Sequence, residues 1–373
     1  MEKTIGVIIA SLLLFCVCSK DSNPVSPQQS SAKSIVAVSI SLNYSEGNMG
    51  LYNITDSAAY KNLLSIWTDN DVRTYSGSIY VLERSGRDNI FKIAGSVIAD
   101  STVVYDENIG SSVNIQDIAF ISSTKAYVTQ YANSQVVIFN PSTGSRAATT
   151  IDLSKFNAYF GTDSAALTPN PYMSRALYYN GKVYVSCQRL KLAGGYPQVA
   201  DTSKIVVVNA ISDSVEKAIN LIYKNPQEMS ICNGKLYVAG VGLWGSNDGG
   251  VECIDLSTDS NTGTIADETA LHGDVMSIIV VGDTKGYAVI STPSYTTEMY
   301  AFDPQAKTVG AKIAGIDSPC SNHMACDSTY VYVGDRSYTA PGIVVIDPAT
   351  DTKVGTTKDI GEPPNSLAFL HIQ

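Results

Sequence analysis

The chain has 373 residues, 44% of them apolar and 16% charged, enough for one large domain or two ordinary ones with a sizeable core. Lys and Arg (25) against Asp and Glu (35) leave a net charge of −10, which gives no general attraction for phosphate backbones and argues against nucleic acid as a partner. With 22 tyrosines, 28 glycines and few charges, the composition suits half-buried strands joined by turns and not a helical bundle; three histidines with no dense Cys/His cluster argue against a zinc centre.

The N-terminus reads as a targeting segment. Lys3 precedes an apolar stretch from Ile5 to Val17 that is short for a membrane span and is expected to be removed. From Cys18 to Ser31 the chain is polar and rich in Pro and Ser, with nothing to bury. A cysteine directly after the apolar run resembles a bacterial lipoprotein, and that resemblance implies cleavage and lipidation at Cys18. The expected division is a signal segment over 1–17, a tether over 18–33 and one folded domain over 34–373, working outside the cytoplasm. Five cysteines remain in that domain, Cys187, Cys232, Cys253, Cys320 and Cys326, with no CxxC. Buried free thiols are the plain reading, with one or two bridges open in an oxidising compartment.

Beyond the tether the sequence repeats. Ile79-Tyr80-Val81, Ala126-Tyr127-Val128, Val183-Tyr184-Val185, Leu236-Tyr237-Val238, Gly286-Tyr287-Ala288 and Val331-Tyr332-Val333 place their tyrosines 47, 57, 53, 50 and 45 residues apart, the length of a four-stranded propeller blade with variable loops. Tight turns precede the Tyr strand, as in Asn180-Gly181 and Asn233-Gly234, the dipeptide that best accepts a type I′ hairpin. A third strand follows and ends in Asp or Asn: Val136 to Phe139 before Asn140-Pro141, Ile205 to Val208 before Asn209, Val251 to Ile254 before Asp255, Met299 to Phe302 before Asp303-Pro304, and Ile343 to Ile346 before Asp347-Pro348. Side chains of this type start a turn by accepting nearby backbone N–H groups.

The Tyr-Val strand, the apolar strand after it and the Asp-Pro-x-Thr turn resemble the YVTN-type β-propeller repeats of bacterial and archaeal surface proteins. Lys125 to Gln130 with Val136 to Gly144 carries the likeness most fully. The resemblance spans about residues 34–373 and implies architecture and location, not a reaction. Roughly 340 residues at about 50 per repeat gives seven blades; six or eight stay open because Asp56 to Asn70 and Lys155 to Pro171 lack an assignment. The closing blade is expected to join Ser366 to Leu370 from the C-terminus with Ile35 to Ile40 and Leu51 to Ile54 from the N-terminus, which removes exposed sheet edges.

Two sets of residues are candidates for function. Short turns crowd one face of a propeller and long loops the other. The long-loop face, with Tyr131, Arg189, Tyr196, Trp244, Asn247, Asp248, Tyr295, Arg336 and Tyr338, suits an envelope glycan, peptide or protein. Aligning the blades on their tyrosines places Asp71, Asp117, Arg175, Glu228, Asp274 and His323 at the start of the inner strands, with Arg84 and Arg336, each after an acid, at the ends of the second strands. Such a set keeps a channel hydrated, binds a cation or polar ligand, or does acid/base chemistry. No phosphate loop, calcium loop or Gly-x-Ser-x-Gly elbow is present, and neither a metal nor a cofactor is expected. The leading expectation is a lipid-tethered, non-enzymatic binding or scaffold module. A lactonase- or lyase-like enzyme at the channel mouth, with Glu228 and His323 as acid/base, and a structural surface-layer component are the alternatives.

Overall fold

The computed structural model describes residues 33–95, 103–158, 170–193, 196–199, 202–320 and 322–372. The expected targeting segment, Cys18 and most of the expected tether lie outside these residues, as does most of the stretch from Lys155 to Pro171.

Seven four-stranded antiparallel sheets form the blades. In chain order, blade 1 comprises Asn70–Tyr75, Ser78–Glu83, Asn89–Ala94 and Val103–Asn108. Blade 2 comprises Ile115–Ser122, Lys125–Gln130, Gln135–Phe139 and Arg146–Asp152, and blade 3 Met173–Tyr179, Lys182–Cys187, Lys204–Asn209 and Ser214–Asn220. Blade 4 is Pro226–Cys232, Lys235–Gly240, Gly250–Asp255 and Ser260–Asp267; blade 5 is Asp274–Gly282, Lys285–Ser291, Thr297–Asp303 and Thr308–Lys312. Blade 6 is Ala325–Cys326, Val331–Asp335, Gly342–Asp347 and Thr352–Lys353. Blade 7 closes the ring with Pro364–His371 innermost, then Lys33–Ile40, Gly47–Asn53 and Ala59–Ile66. Its two chain ends pair in antiparallel register, Val36 opposite Ala368. The unassigned stretch Asp56 to Asn70 thus supplies the outer strand of blade 7, and the open blade count resolves to seven.

Apolar burial is organised by interface. Each of the seven contacts between neighbouring blades holds its own cluster of buried side chains among the described residues. Along Lys33–Ile40, Val36 and Val38 pack against blade 1, and Ile35 and Ala37 against blade 6. Side chains on a strand alternate faces, so a strand buried on both faces reads as a continuous apolar run. The six repeat tyrosines head the largest fully buried side chains.

The turns obey their residues. Asn180-Gly181 and Asn233-Gly234 hold positive φ at both positions, as a type I′ hairpin needs. Asn140, Asn209, Asp255, Asp303 and Asp347 each accept the N–H two residues on. On the same face a latch joins blades. The Lys and Tyr of Lys125-Ala126-Tyr127 both reach Asp213 of the next blade. Lys182 and Tyr184 reach Asp259, at 2.5 and 2.6 Å, and Lys285 and Tyr287 reach Asp351, at 2.7 and 2.6 Å. All three aspartates sit at positive φ in the turn between third and outer strands, a conformation Asp tolerates better than most residues. All five domain cysteines are buried, and none is in a disulfide among the described residues. Burial pushes the Cys320 thiol up to about 11 and that of Cys187 up to about 12, which removes the thiolate and its reactivity.

Candidate functional site

Strand register defines the central ring. The repeat tyrosines pair with Arg73, Ala119, Leu177, Ser230, Ile279 and Ala325. Two residues before each partner stand Asp71, Asp117, Arg175, Glu228, Ser277 and His323, and Ser366 of blade 7 joins them by donating to Asp71 Oδ1 at 2.5 Å. One residue per blade therefore converges on the axis. Asp274 does not belong to this ring: the inner strand of blade 5 starts three residues earlier and bulges between Val275 and Ser277, so the ring position there is Ser277. Similar bulges flank Asp117, Arg175 and Glu228, and a bulge re-aims the side chain beside it.

The ring is a plug of paired charges, each member nearly inaccessible to solvent. Arg73 Nη1 lies 2.8 Å from Asp71 Oδ1 and its Nη2 lies 2.7 Å from Asp117 Oδ1. Arg175 Nη1 lies 2.8 Å from Asp71 Oδ2. His323 sets Nδ1 2.5 Å from Glu228 Oε2 and Nε2 3.3 Å from Asp71 Oδ2, with the Arg73 guanidinium also against Nε2. Main-chain N–H groups of Val72, Ile118, Ala176 and Met229 supply further donors to the three acids. Burial opposes the charge of Asp71, yet Arg73, His323 and Arg175 outweigh it and hold its pKa well below the usual carboxylate range. Asp71, Asp117, Arg175, Glu228 and His323, all expected from the repeat alignment, are thus brought together. Arg73, Ser277 and Ser366 escaped it. Arg73 carried one visible signal, a lone cation in a buried strand two residues, and so one face-repeat, from Asp71.

The remaining candidates lie apart from the plug. Arg84 pairs with Asp69, its Nε 2.7 Å from Oδ1, and reaches Gln116 of blade 2. Arg336 donates to the Pro363 carbonyl at 3.1 Å and lies over the Tyr44 ring, tying blade 6 to blade 7. Arg189 holds the carbonyls of Phe156 and Thr202. All three fasten backbone or a neighbouring blade.

A cleft opens on the long-loop face between blades 4 and 5. Its volume is about 180 Å³, lined by Gly245, Asn247, Gly273, Asp274, Ser291, Thr292, Pro293 and Tyr295. Three carboxylates hold the 241–249 loop that forms one wall. Asp274 takes the Gly245 N–H with both oxygens, at 3.1 and 2.9 Å, Asp248 takes that of Leu243 at 2.8 Å, and Glu268 takes that of Gly249 at 2.9 Å. Glu268 opens the one-turn helix Glu268–Leu271, capped by Asp267, and also accepts the Val275 N–H. Burial raises Glu268 to about 7, against the pull of those two N–H bonds and helped by the charges of Asp274 and Asp248. Asp274 is raised by burial for the same reason.

Around this cleft the face is studded with aromatics. Trp244 (47% exposed) tips the long loop of blade 4, Tyr295 (94%) that of blade 5, Tyr338 (85%) that of blade 6 and Tyr44 (69%) that of blade 7. Among the described residues, the exposed large apolar side chain on the turn face is Ile211. Among the described residues, no group of three or more His, Cys, Asp or Glu is placed to hold a metal ion.

No protein-family model matches the chain, and no curated protein matches it. Solved structures share its fold at low identity. A Bacteroides uniformis protein proposed to be a 6-phosphogluconolactonase is 11% identical with a TM-score of 0.64, over 91% of this chain and 99% of that one. A functionally unknown protein from Desulfotomaculum acetoxidans is 14% identical with a TM-score of 0.58, over 92% and 100%. Apo AztD from Citrobacter koseri is 10% identical with a TM-score of 0.55, over 91% and 98%.

Proposed function

We propose that this chain is an exported, lipid-tethered propeller of the bacterial cell envelope, and that it binds an envelope glycan, peptide or protein through its long-loop face without catalysing a reaction. The observation that carries this reading is the arc of exposed aromatics on four consecutive blades, Trp244, Tyr295, Tyr338 and Tyr44, all on one face. Large aromatics left in water cost solubility and are kept where a partner covers them. The resemblance to YVTN-type surface repeats and the apolar leader before Cys18 support the location. The test is co-sedimentation of the purified protein with insoluble envelope fragments of a Gram-negative and a Gram-positive bacterium. Retention is expected to fall in the fourfold Tyr44→Ala, Trp244→Ala, Tyr295→Ala, Tyr338→Ala variant and to persist in Ile211→Ala; equal retention of both, or none by the parent, ends the reading. Incorporation of a palmitate analogue that disappears in Cys18→Ala tests the tether.

A lactonase- or lyase-like enzyme is the second reading, favoured by one observation, the 2.5 Å approach of His323 Nδ1 to Glu228 Oε2. Against it, both groups are buried and committed to the plug. Hydrolysis of a chromogenic lactone that collapses in His323→Gln at unchanged melting temperature would favour the enzyme.

A further inference from the structure

We infer that the cleft between blades 4 and 5 is a site for one uncharged sugar ring, stacked on Tyr295 and hydrogen-bonded by Asn247, Asp274 and Thr292. The inference rests on the long-loop face being the binding face, and names the place and the ligand class.

Four observations carry it. The cleft, about 180 Å³, falls below the size of an ordinary small-molecule pocket and matches a single ring from a longer chain. Its lining joins one aromatic face to amide, hydroxyl and carboxylate groups and includes no Lys, Arg or His, a surface with apolar and hydrogen-bonding partners for a pyranose but no counter-charge for a uronate or phosphate. The Asp274 oxygens are both engaged by the Gly245 N–H and Asp248 is engaged by Leu243, so the acids shape the wall and accept hydroxyls without offering a free anionic pair to an ammonium group.

The fourth observation is local strain. Tyr295 sits at φ +60, where a bulky L-residue is disfavoured and Gly or Asn is at ease. The turn itself is fixed without the ring: Tyr295 N–H donates to the Thr292 carbonyl, and Thr292 N–H to that of Thr296, each at 2.8 Å. The ring is held there almost wholly in solvent, beside the cleft it lines, where a ligand can stack on it. The opposite wall is pre-shaped. Glu268, Asp248 and Asp274 pin the 241–249 loop at Gly249, Leu243 and Gly245, so little ordering entropy is lost on binding.

The experiment is an immobilised glycan array carrying neutral hexoses and N-acetylhexosamines, uronates, and cationic glucosamine oligomers, probed with the purified protein. Binding is expected on neutral rings only. Tyr295→Ala is expected to weaken it about tenfold, the scale of a hot-spot contact, and Tyr295→Phe to keep it. Asn247→Gly, which leaves the positive φ of Asn247 unstrained, is expected to weaken it several-fold, and Ile211→Ala on the opposite, turn face to leave it unchanged. Preference for uronates or glucosamine overturns the ligand class. Neutral binding indifferent to Tyr295→Ala overturns the location. An array without signal, from a protein that still sediments with envelope fragments, overturns the sugar site and leaves the binding face standing; failure of both experiments removes both.

Discussion

Two buried carboxylates of this molecule shift in opposite directions, and the contrast separates a structural region from a candidate binding region. Asp71 lies on the propeller axis among two guanidinium groups and an imidazole, and its acidity is strengthened despite complete burial. Glu268 lies beside the blade 4/5 cleft with only backbone N–H donors and two further acids for company, and its acidity is weakened to about 7. Charge-balanced burial locks a region shut, because the acids and bases pair with one another and a ligand would have to break several pairs to enter. Unbalanced acid around a cavity, fixed only by backbone donors, leaves a wall that is shaped but not filled. The plug therefore belongs to the fold, and the cleft is where the proposed binding site lies.

The sharpest way to break this contrast is to remove Asp71. Asp71→Ala leaves Arg73 and Arg175 buried without their shared partner, and the expected loss is about 3–5 kcal/mol, the cost of orphaning a buried charge, read as a lower denaturation midpoint at unchanged m-value. A loss under about 1 kcal/mol, the scale of a surface pair, would mean that water replaces the carboxylate and that the axis is open.

The second test uses the opposite signs of the two shifts. For Asp71, whose folded pKa lies below its ordinary 3.8, the stabilisation is complete above that value and is lost as pH falls through the folded pKa. For Glu268, raised from 4.5 to about 7, the folded chain keeps a proton that the unfolded chain has released. Stability therefore declines as pH rises from about 4.5 to about 7 and stays level above. The difference between parent and Glu268→Ala stabilities is expected to change by on the order of 1–3 kcal/mol across that window, allowing for partial solvent screening, and to be flat above about pH 8. A flat difference throughout would place Glu268 in contact with a cation or in water.

How much of this was written in the sequence depends on which physical rule fixed each part. The tyrosine spacing and the Asn-Gly and Asp-Pro turns are local, so a propeller of about seven blades with a shared closing blade could be read directly, while the exact count turned on Asp56 to Asn70, which carries no repeat signature. The ring followed from counting back from the tyrosines, and it located Asp71, Asp117, Arg175, Glu228 and His323. It missed in blade 5, where the ring position is the uncharged Ser277 and the nearest charged residue on that strand, Asp274, lies three residues outside the ring. Whether the ring was hydrated or sealed was not legible, since it turns on Arg73 and Ser366, 293 residues apart in the chain (366 − 73) and both drawn to Asp71. The cleft was legible only as a pair of long loops; its walls depend on Glu268, a residue in a linker that no repeat predicts.

A third kind of carboxylate sets the scale for the other two, the turn aspartates of the rim latches. They repeat from blade to blade as the plug does not, and they differ mainly in exposure. Asp259 is buried and takes both the Tyr184 hydroxyl and the Lys182 ammonium, so Asp259→Ala is expected to cost about 1–3 kcal/mol, the penalty for leaving a buried donor unpaired. Asp351 makes the same two contacts with its side chain 35% exposed and Lys285 27% exposed, where water can replace the lost partner. Lys285→Met, which removes the ammonium from both Asp351 and the face of the Tyr287 ring, is expected to cost about 0.5–1 kcal/mol at low salt. That cost should fade in 1 M salt, where the screening length shrinks to about 3 Å, whereas the Asp71→Ala deficit should persist because its partners are shielded from ions. If salt erased both deficits alike, the axis would be as wet as the rim, and the line drawn between a sealed centre and an open cleft would fall.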